Sequence, residues 1–198
     1  MDKTGAGRTV SCVFLAAGSG TRFGGGKLLA DFRGEALYTR ALRLMDAVGF
    51  DRSAVVSGCE EILAAAARRG FLAVQNNEPE RGISLSVRLG LEAVKPCSAV
   101  LFLVGDQPLL TAESVRRILA AGAEQPEKII VPRSADGRDG SPCLFPGAFF
   151  PELAALEGDR GGRRVIRAHP EAVFAVELPG SELIDTDTRE ALQRLSKV

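Results

Sequence analysis

The chain has 198 residues, of which 45% are hydrophobic and 25% are charged, a composition typical of a globular domain with one well-packed core. Its 25 Lys and Arg residues balance its 25 Asp and Glu residues, so no overall field attracts it to nucleic acid or to a membrane surface. The first eight residues lack the hydrophobic run of a signal peptide, and the longest apolar runs are six residues, too short to cross a bilayer. We therefore expect a cytoplasmic protein without nucleic-acid or membrane partners, in which residues 1–8 are flexible and residues 9–198 form one domain.

Apolar segments with strand character alternate along the chain with amphipathic helical segments. In chain order, the patterns predict a strand at 10–17, a helix at 37–48, a strand at 53–57, a helix at 60–69, a strand at 72–75, a helix at 84–94, a strand at 98–104, a helix capped by Thr111, strands at 128–132 and 141–145, a helix at 161–168, a strand at 173–178 and a final helix from about Thr188. This alternation predicts an α/β protein, a three-layer αβα Rossmann-like sandwich around a mostly parallel sheet.

A glycine-rich loop follows the first predicted strand. Residues 13–27 read VFLAAGSGTRFGGGK, with five glycines between Gly18 and Gly26. Glycines allow backbone N–H groups to approach an anionic ligand without interference from Cβ atoms. Because Arg22 and Lys27 add two cations to this loop, the segment predicts a binding site for a nucleoside triphosphate.

Two common phosphate-binding loops are excluded by inspection. A dinucleotide fingerprint, GxGxxG, needs a glycine where Phe23 stands, and the second strand ends without the acidic residue that would bind a ribose. A Walker A loop, GxxxxGK[ST], needs a glycine at Thr21 and a hydroxyl residue at Leu28.

The pattern LAAGSGTRFGGGK closely resembles the LAAGxGxRxGxxK motif of the MobA-like nucleotidyltransferases. Further segments resemble those of molybdenum cofactor cytidylyltransferases: ERGISLSVRLGL at 80–91, LVGDQPL at 103–109, GDRGGR at 158–163 and IDT at 184–186. The resemblance implies a fold like that of the nucleotide-diphospho-sugar transferases and Mg²⁺ as the metal cofactor. It also implies CTP as donor, a molybdopterin-type cofactor as acceptor, and a molybdenum hydroxylase as a client protein.

Two aspartates are candidate metal ligands. Asp106 follows the strand at 98–104 directly, and ligands of open α/β sheets collect at the carboxyl ends of the strands. A carboxylate facing a triphosphate is a natural ligand for Mg²⁺. The resemblance implies a second metal contact from Asp185, although Leu183 replaces the first aspartate of the family's DIDT motif. Asp187 and Glu190 instead have the spacing of a helix-capping pair.

The implied reaction needs charge neutralisation more than proton transfer. A phosphate nucleophile is already an anion, so no general base is required, and we interpret His169, the only histidine, as a surface or helix-end residue. Two polyanions repel each other, and Lys27, Arg22 and metal-bound Asp106 would reduce that repulsion. Among these residues, we predict that Lys27 makes the direct catalytic contact with the reacting substrate.

The resemblance assigns nucleotide binding to two backbone segments. Its predicted residues are Leu15, Ala16, Ala17, Gly18, Gly20, Gly82, Ser84 and Ser86. The guanylyl-transferring branch usually has LAGG, so the methyl group of Ala17 is expected to narrow the space beside the base and favour a pyrimidine. Ser86 is predicted to contact the base, whereas Ser84 is either a base contact or a helix N-cap.

The sequence features that could bind the acceptor substrate are less specific than those of the nucleotide site. Arg160, Arg163 and Arg164 form a basic cluster that could bind a phosphate, or a solvated surface cluster. Residues 140–142, Gly-Ser-Pro, resemble the family's substrate-side turn. Three other functions stay open: guanylyl transfer from GTP to the same cofactor, cytidylyl transfer to a small sugar or polyol phosphate, and non-catalytic binding of a nucleotide or cofactor during maturation of molybdenum enzymes.

Overall fold

The computed structural model describes residues 8–18, 20 and 23–197. Its strands are β1 (Val10–Leu15), β2 (Asp31–Phe32), β3 (Glu35–Ala36), β4 (Arg52–Ser57), β5 (Leu72–Gln75), β6 (Ala99–Val104), β7 (Ile129–Arg133), β8 (Cys143–Pro146) and β9 (Val173–Glu177). Its α-helices are α1 (Leu37–Val48), α2 (Glu60–Ala67), α3 (Ile83–Val94), α4 (Ala112–Glu124), α5 (Phe150–Ala154), α6 (Gly162–Ala168) and α7 (Arg189–Ser196). Within the described residues, none of these helices has the length and apolar character needed to cross a bilayer.

Seven strands form one mixed sheet in the order β5-β4-β1-β6-β8-β7-β9, while β2 and β3 form a separate small hairpin. The first four strands of that order are parallel, and β8 runs antiparallel to both of its neighbours. After β1, the chain adds β4 and then β5 on one side of β1 in the sheet. It then crosses over and adds β6 on the opposite side of β1. Because the register places Val56 and Val104 beside Leu15, the loops after β4, β1 and β6 begin at the same edge of the sheet.

Helices cover both faces of the sheet, because side chains along each buried strand alternate between the faces. Phe14 of β1 and Leu101 of β6 pack with α1, α2 and α4 on one face. Val13, which precedes Phe14, and Phe102, which follows Leu101, pack with α3, α5 and α6 on the other face. The predicted three-layer αβα architecture is thereby confirmed.

A third apolar cluster joins the C-terminal helix to the small hairpin and to the end of the glycine loop. Its buried members are Phe23, Phe32, Leu37, Leu192 and Leu195. Helix α7 therefore packs beside the glycine loop instead of extending the two main cores.

Several predicted boundaries differ from those observed. The first strand ends at Leu15, two residues early, because the chain turns into the glycine loop there. The predicted strand at 141–145 is displaced to Cys143–Pro146. The hairpin of β2 and β3 and the five-residue helix α5 were not predicted, since segments this short carry almost no periodicity. The predicted cap is confirmed: the Thr111 hydroxyl accepts a hydrogen bond from Ser114 N at 3.2 Å.

Candidate active site

A cleft of about 440 Å³ opens at the carboxyl edge of the sheet, where the loops after β1 and β6 meet the N-terminus of α3. This is where the strand order reverses beside β1, the usual ligand position in open α/β sheets. The predicted site residues that line it are Leu15, Ala17, Gly18, Gly20, Lys27, Gly82, Ser86 and Asp106. The sheet topology thus brings together the glycine loop, the 80–91 segment and the Asp106 turn.

For two residues of the predicted glycine-loop site, the structure does not show a place in the cleft lining. Arg22 lies outside the described residues. Ala16 is buried and does not line the cleft, because its backbone belongs to the sheet edge: its N–H donates to Val56 O at 2.8 Å, and its carbonyl accepts from the Ser57 hydroxyl at 3.0 Å. Ala16 therefore holds the loop in place without facing a ligand.

The two serines of the 80–91 segment have different environments. Ser84 is 1% exposed, does not line the cleft and donates its backbone N–H to Gly158 O; the N-cap position of α3 belongs to Gly82. Both expectations for Ser84, a base contact and an N-cap, are therefore unsupported. Ser86 lines the cleft, and its Oγ accepts a hydrogen bond from Asn76 Nδ2 at 3.0 Å. This bond leaves the hydroxyl hydrogen of Ser86 available for a ligand.

Lys27 lies between two carboxylates. Its Nζ is 3.0 Å from Asp106 Oδ2 and 3.0 Å from Asp187 Oδ1, and its side chain is only 12% exposed. Gly26, which precedes it, has a left-handed φ of 61°, and a Cβ at Gly20 would lie 3.1 Å from Lys27 Cβ. Glycine at these positions lets the loop turn tightly enough to aim the ammonium group into the cleft.

The C-terminal segment holds the backbone of Asp106 through hydrogen bonds. Its backbone carbonyl accepts two hydrogen bonds from the fully buried Thr186, one from the backbone N–H and one from the hydroxyl, both at 2.9 Å. Its Oδ1 is buried and has no hydrogen-bond partner among the described residues. A buried carboxylate oxygen without a donor is costly unless a ligand satisfies it, so this atom is a candidate metal or substrate contact.

Asp185 directly precedes Thr186 in the sequence and, unlike Asp106 and Asp187, does not line the cleft. Its Oδ1 accepts a hydrogen bond from Gln107 Nε2 at 2.9 Å. Removal from water by the surrounding loops raises the pKa of Asp185, and repulsion from Asp106 raises it further. The Asp185 carboxylate is therefore held in the negative field of the site, where a bound cation would stabilise its ionised form.

Asp187 was expected to cap the last helix, and this expectation is wrong. The cap of α7 is Thr188, whose hydroxyl accepts a hydrogen bond from Ala191 N at 3.1 Å. Asp187 instead lines the cleft and binds Lys27. Its spacing to Glu190 fits a helix cap equally well, so the sequence pattern contains no signal that separates the two roles.

The oxygen-rich donor set suits a hard divalent cation. In the described part of the chain, no group of three or more His, Cys, Asp and Glu side chains forms a ready-made metal cage. Mg²⁺ sites in nucleotide enzymes commonly use one or two carboxylates and complete their coordination with phosphate oxygens and water. Asp106, with its unpartnered Oδ1, fits this pattern, and Asp185 could supply the second carboxylate.

The basic cluster does not line the cleft. Arg160, Arg163 and Arg164 are exposed, whereas Asp159, which was not predicted, is a cleft residue. The position of Asp159 depends on Gly82, since a Cβ there would lie 2.6 Å from Asp159 N and would collide with the preceding residue. Asp159 is the aspartate of the GDRGGR segment that resembles the family, and this was the available signal for it.

The remaining predicted positions have structural contacts. Leu183, which replaces the family aspartate, packs against the turn at 140–142, where a Cβ on Gly140 would lie 3.1 Å from Leu183 Cδ2. His169 is the C-cap residue of α6; its Nε2 lies 2.9 Å from Glu152 Oε1, and it does not line the cleft. Its interpretation as a helix-end residue is confirmed.

Residues 12–173 match the sequence profile of the MobA-like NTP transferase domain. Purine catabolism protein PucB of Bacillus subtilis (strain 168) is 30% identical over 192 residues, which cover 90% of this chain and 91% of PucB. Nicotine blue oxidoreductase of Paenarthrobacter nicotinovorans is 29% identical over 195 residues, which cover 94% of this chain and 96% of that protein.

Solved structures agree with this relationship. Rv0371c from Mycobacterium tuberculosis H37Rv superposes with a TM-score of 0.83 at 30% identity, over 98% of this chain and 100% of that one. Its complex with manganese gives a TM-score of 0.78 at 29% identity, over 96% and 98% of the chains. CMP:2-keto-3-deoxy-manno-octonic acid synthetase complexed with CTP shares the fold, with a TM-score of 0.74 at 12% identity over 96% and 97%. The chain belongs to the MobA-like NTP transferase family, and the protein is a nucleotidyltransferase.

Proposed function

We propose that this protein transfers CMP from CTP to the terminal phosphate of a molybdopterin-type cofactor, with Mg²⁺ as its metal and a molybdenum hydroxylase as the client of the product. The observation that carries the proposal is the Lys27 ammonium group, 3.0 Å from carboxylate oxygens of both Asp106 and Asp187 beside a glycine loop. Membership of the MobA-like family supports a nucleotide donor, and the manganese complex of the homologue Rv0371c supports a divalent metal.

In the proposed reaction, a terminal phosphate oxygen of the acceptor forms a bond to the α-phosphorus of CTP. The bond between that phosphorus and the oxygen bridging to the β-phosphorus breaks, and pyrophosphate leaves with the electron pair. The nucleophile carries its own negative charge, so no residue has to remove a proton. Metal bound at Asp106 would supply additional positive charge for the phosphate oxygens.

Lys27 would change partners when the nucleotide binds. Without a ligand, its charge is balanced by Asp106 and Asp187. A triphosphate with its metal brings both the anion that Lys27 can bind and a cation for the carboxylates. Lys27 can then neutralise charge on the phosphoryl group in a cleft that restricts water, where such an interaction is strongest.

The choice of CTP rests on the wall of the cleft beside Ala17. Ala17 lines the cleft, where the methyl group reduces the space beside the base compared with a glycine. On the other wall, the Ser86 hydroxyl retains a hydrogen for an acceptor atom of the base, such as the carbonyl oxygen of cytosine. The reduced space at Ala17 favours a pyrimidine over the larger guanine, and Ser86 provides a donor for the base that fits there.

The test is a pyrophosphate-release assay that crosses CTP, GTP, ATP and UTP with molybdopterin-type cofactor and with simple sugar and polyol phosphates. We expect turnover with CTP and the cofactor in Mg²⁺, and loss of that turnover in Lys27→Ala but not in Lys95→Ala. Lys95 is a suitable control because it is an exposed lysine paired with Glu92, outside the cleft.

The other outcomes separate the alternatives. Preference for GTP would identify a guanylyltransferase, and turnover with a polyol phosphate would identify a different acceptor. Saturable nucleotide binding without turnover on any acceptor would indicate a non-catalytic carrier and would contradict the proposal.

A further inference from the structure

The start of the C-terminal helix contacts the end of the glycine loop through Arg189 and Phe23. Arg189 is the first residue of α7, and its Nε donates a hydrogen bond to Phe23 O at 3.2 Å. The same guanidinium group lies over the Phe23 ring, 4.8 Å from the ring centroid. One side chain therefore binds both the backbone and the ring of Phe23, a combination that favours a single orientation.

Phe23 is well placed to transmit this contact to the nucleotide site. It is 3% exposed, it lines the cleft, and its N–H donates to Gly20 O at 2.9 Å. Gly20 is itself a cleft residue that also accepts a hydrogen bond from Gly25 N at 3.1 Å. A shift of Phe23 would therefore move the glycines that are expected to approach the phosphates.

The segment that precedes α7 contacts the same site at two further points. Thr186 binds the backbone of Asp106, and Asp187 binds Lys27, the residue at the far end of the glycine loop. Arg189 thus completes a set of contacts through which a stretch of five residues, 185–189, holds both Phe23 and Lys27. No residue of α7 lines the cleft itself, so its influence on a ligand would be indirect.

We propose that Arg189 is a positioning residue for nucleotide binding: it holds Phe23 so that the glycine loop is ready for the triphosphate, and it thereby couples docking of α7 to occupancy of the cleft. This inference rests on the proposed nucleotide-binding function and goes beyond it, because it assigns a role to the C-terminal helix. Coupling is reciprocal, so a bound nucleotide must also strengthen the docking of α7.

Arg33, in the turn between β2 and β3, contacts the C-terminal end of α7 and provides a matched control. Arg33 Nη2 donates to Leu195 O at 3.2 Å, and its guanidinium group lies 5.1 Å from the centroid of the Phe32 ring. Phe32 belongs to the same apolar cluster as Phe23 but does not line the cleft. Arg33→Gln therefore removes the hydrogen bonds to Leu195 O and Ser196 O at the C-terminal end of α7. Arg189→Gln removes the contacts of the N-terminal end with Phe23, so only Arg189→Gln acts on the loop.

The experiment measures the KM and kcat of the wild type and of these variants for the most active triphosphate among CTP, GTP, ATP and UTP, together with Kd and Tm. Both Gln variants should lower Tm by similar amounts. Arg189→Gln should raise Kd and KM by about tenfold, within the range typical of coupling between sites, with little change in kcat. Arg33→Gln should leave Kd and KM unchanged, and Arg189→Lys should recover part of the affinity.

Hydrogen exchange tests the reciprocal effect. Nucleotide with Mg²⁺ should slow amide exchange across α7 in the wild type, and this protection should be reduced in Arg189→Gln. Equal Kd values for the wild type and both Gln variants would overturn the inference, as would equal weakening by Arg33→Gln. A wild type that binds none of the four triphosphates would overturn the proposed function as well, which distinguishes that failure from the failure of the Arg189 assignment alone.

Discussion

The Lys27 ammonium group lies 3.0 Å from carboxylate oxygens of both Asp106 and Asp187, so it offsets negative charge on two residues of the cleft. Lys27 and Asp106 could be identified from the sequence, since each belongs to a motif tied to the end of a predicted strand. Asp187 could not, because its spacing to Glu190 equally predicts a helix cap, and only the tertiary fold brings it to Lys27. Local sequence patterns identify which groups are available, but contacts between residues 160 positions apart are set by topology.

Replacement of Lys27 should separate catalysis from metal binding. We expect Lys27→Ala to fold and to turn over at least ~100-fold more slowly, the scale for loss of one preorganised electrostatic contact. The variant also leaves Asp106 and Asp187 without the ammonium group, so Mn²⁺ alone should raise its Tm more than it raises that of the wild type. Normal turnover, or a Mn²⁺ effect smaller than that in the wild type, would contradict the assigned role.

Asp185 should make the ligand-free protein less stable as the pH rises. Its folded-state pKa is raised, first by desolvation and then by Asp106, so ionisation is harder in the folded than in the unfolded state. Stability is therefore lost as the pH increases from below the ordinary value of 3.8 through the raised pKa. Asp185→Asn should be more stable than the wild type at neutral pH, and the difference should shrink on acidification through this window.

Asp136 is the matched control with the opposite sign. Hydrogen bonds from Ser134 and Arg138 lower the pKa of its carboxyl group, so its contribution to stability is present above 3.8 and is lost as the pH falls. Asp136→Asn should therefore be less stable than the wild type at neutral pH. Chemical denaturation at a series of pH values measures both variants, and the same sign for both would refute this account.

At the scale of the elements, α3 depends on a close approach to β1. A Cβ on Gly90 would overlap Val13 Cγ1 and would lie 3.0 Å from Val56 Cγ2, so glycine allows the helix to pack directly on the sheet. This contact positions the N-terminus of α3, where Gly82 and Ser86 line the cleft. The packing of this helix and the geometry of the nucleotide site are therefore connected.

Gly90→Ala should destabilise the protein by about 1–3 kcal/mol, the usual cost of an extra methyl group in a packed core. Val13 is completely buried, so Val13→Ala should also destabilise, but it provides space for the new methyl group. The double variant should therefore lose less stability than the sum of the two single variants in urea denaturation. Strict additivity would show that the two side chains do not compete for space.

The elements themselves differ in how far the sequence predicts them. Helices α1 and α4 were clear because regularly spaced apolar positions point to one buried face. The central parallel strands were clear because each is a short, nearly continuous apolar run. The antiparallel direction of β8 and the hairpin of β2 and β3 were not predictable in the same way. Strand direction depends on how connections cross the sheet, and two-residue strands have no period to detect.

At the scale of the whole molecule, one edge of the sheet gathers segments that are far apart in the chain. Leu15, Lys27, Ser86, Asp106 and Asp187 line one cleft because β1 and β6 are adjacent and end in register. The net charge is zero, so attraction of a polyanion depends on this local placement and not on the overall field. The whole-chain order of motifs predicted the family, whereas the position of Asp159 in the cleft and of the neighbouring arginines outside it required the fold.

Attack at the α-phosphorus of a nucleoside triphosphate in this cleft can be followed by isotope transfer from CTP carrying ³²P at either the α or the γ position, with molybdopterin-type cofactor and Mg²⁺. We expect α-label to appear on the acceptor and γ-label to leave as pyrophosphate, with both rates at least ~100-fold lower in Lys27→Ala. Transfer of γ-label to the acceptor, or transfer of α-label at the wild-type rate in Lys27→Ala, would be inconsistent with attack at the α-phosphorus assisted by Lys27.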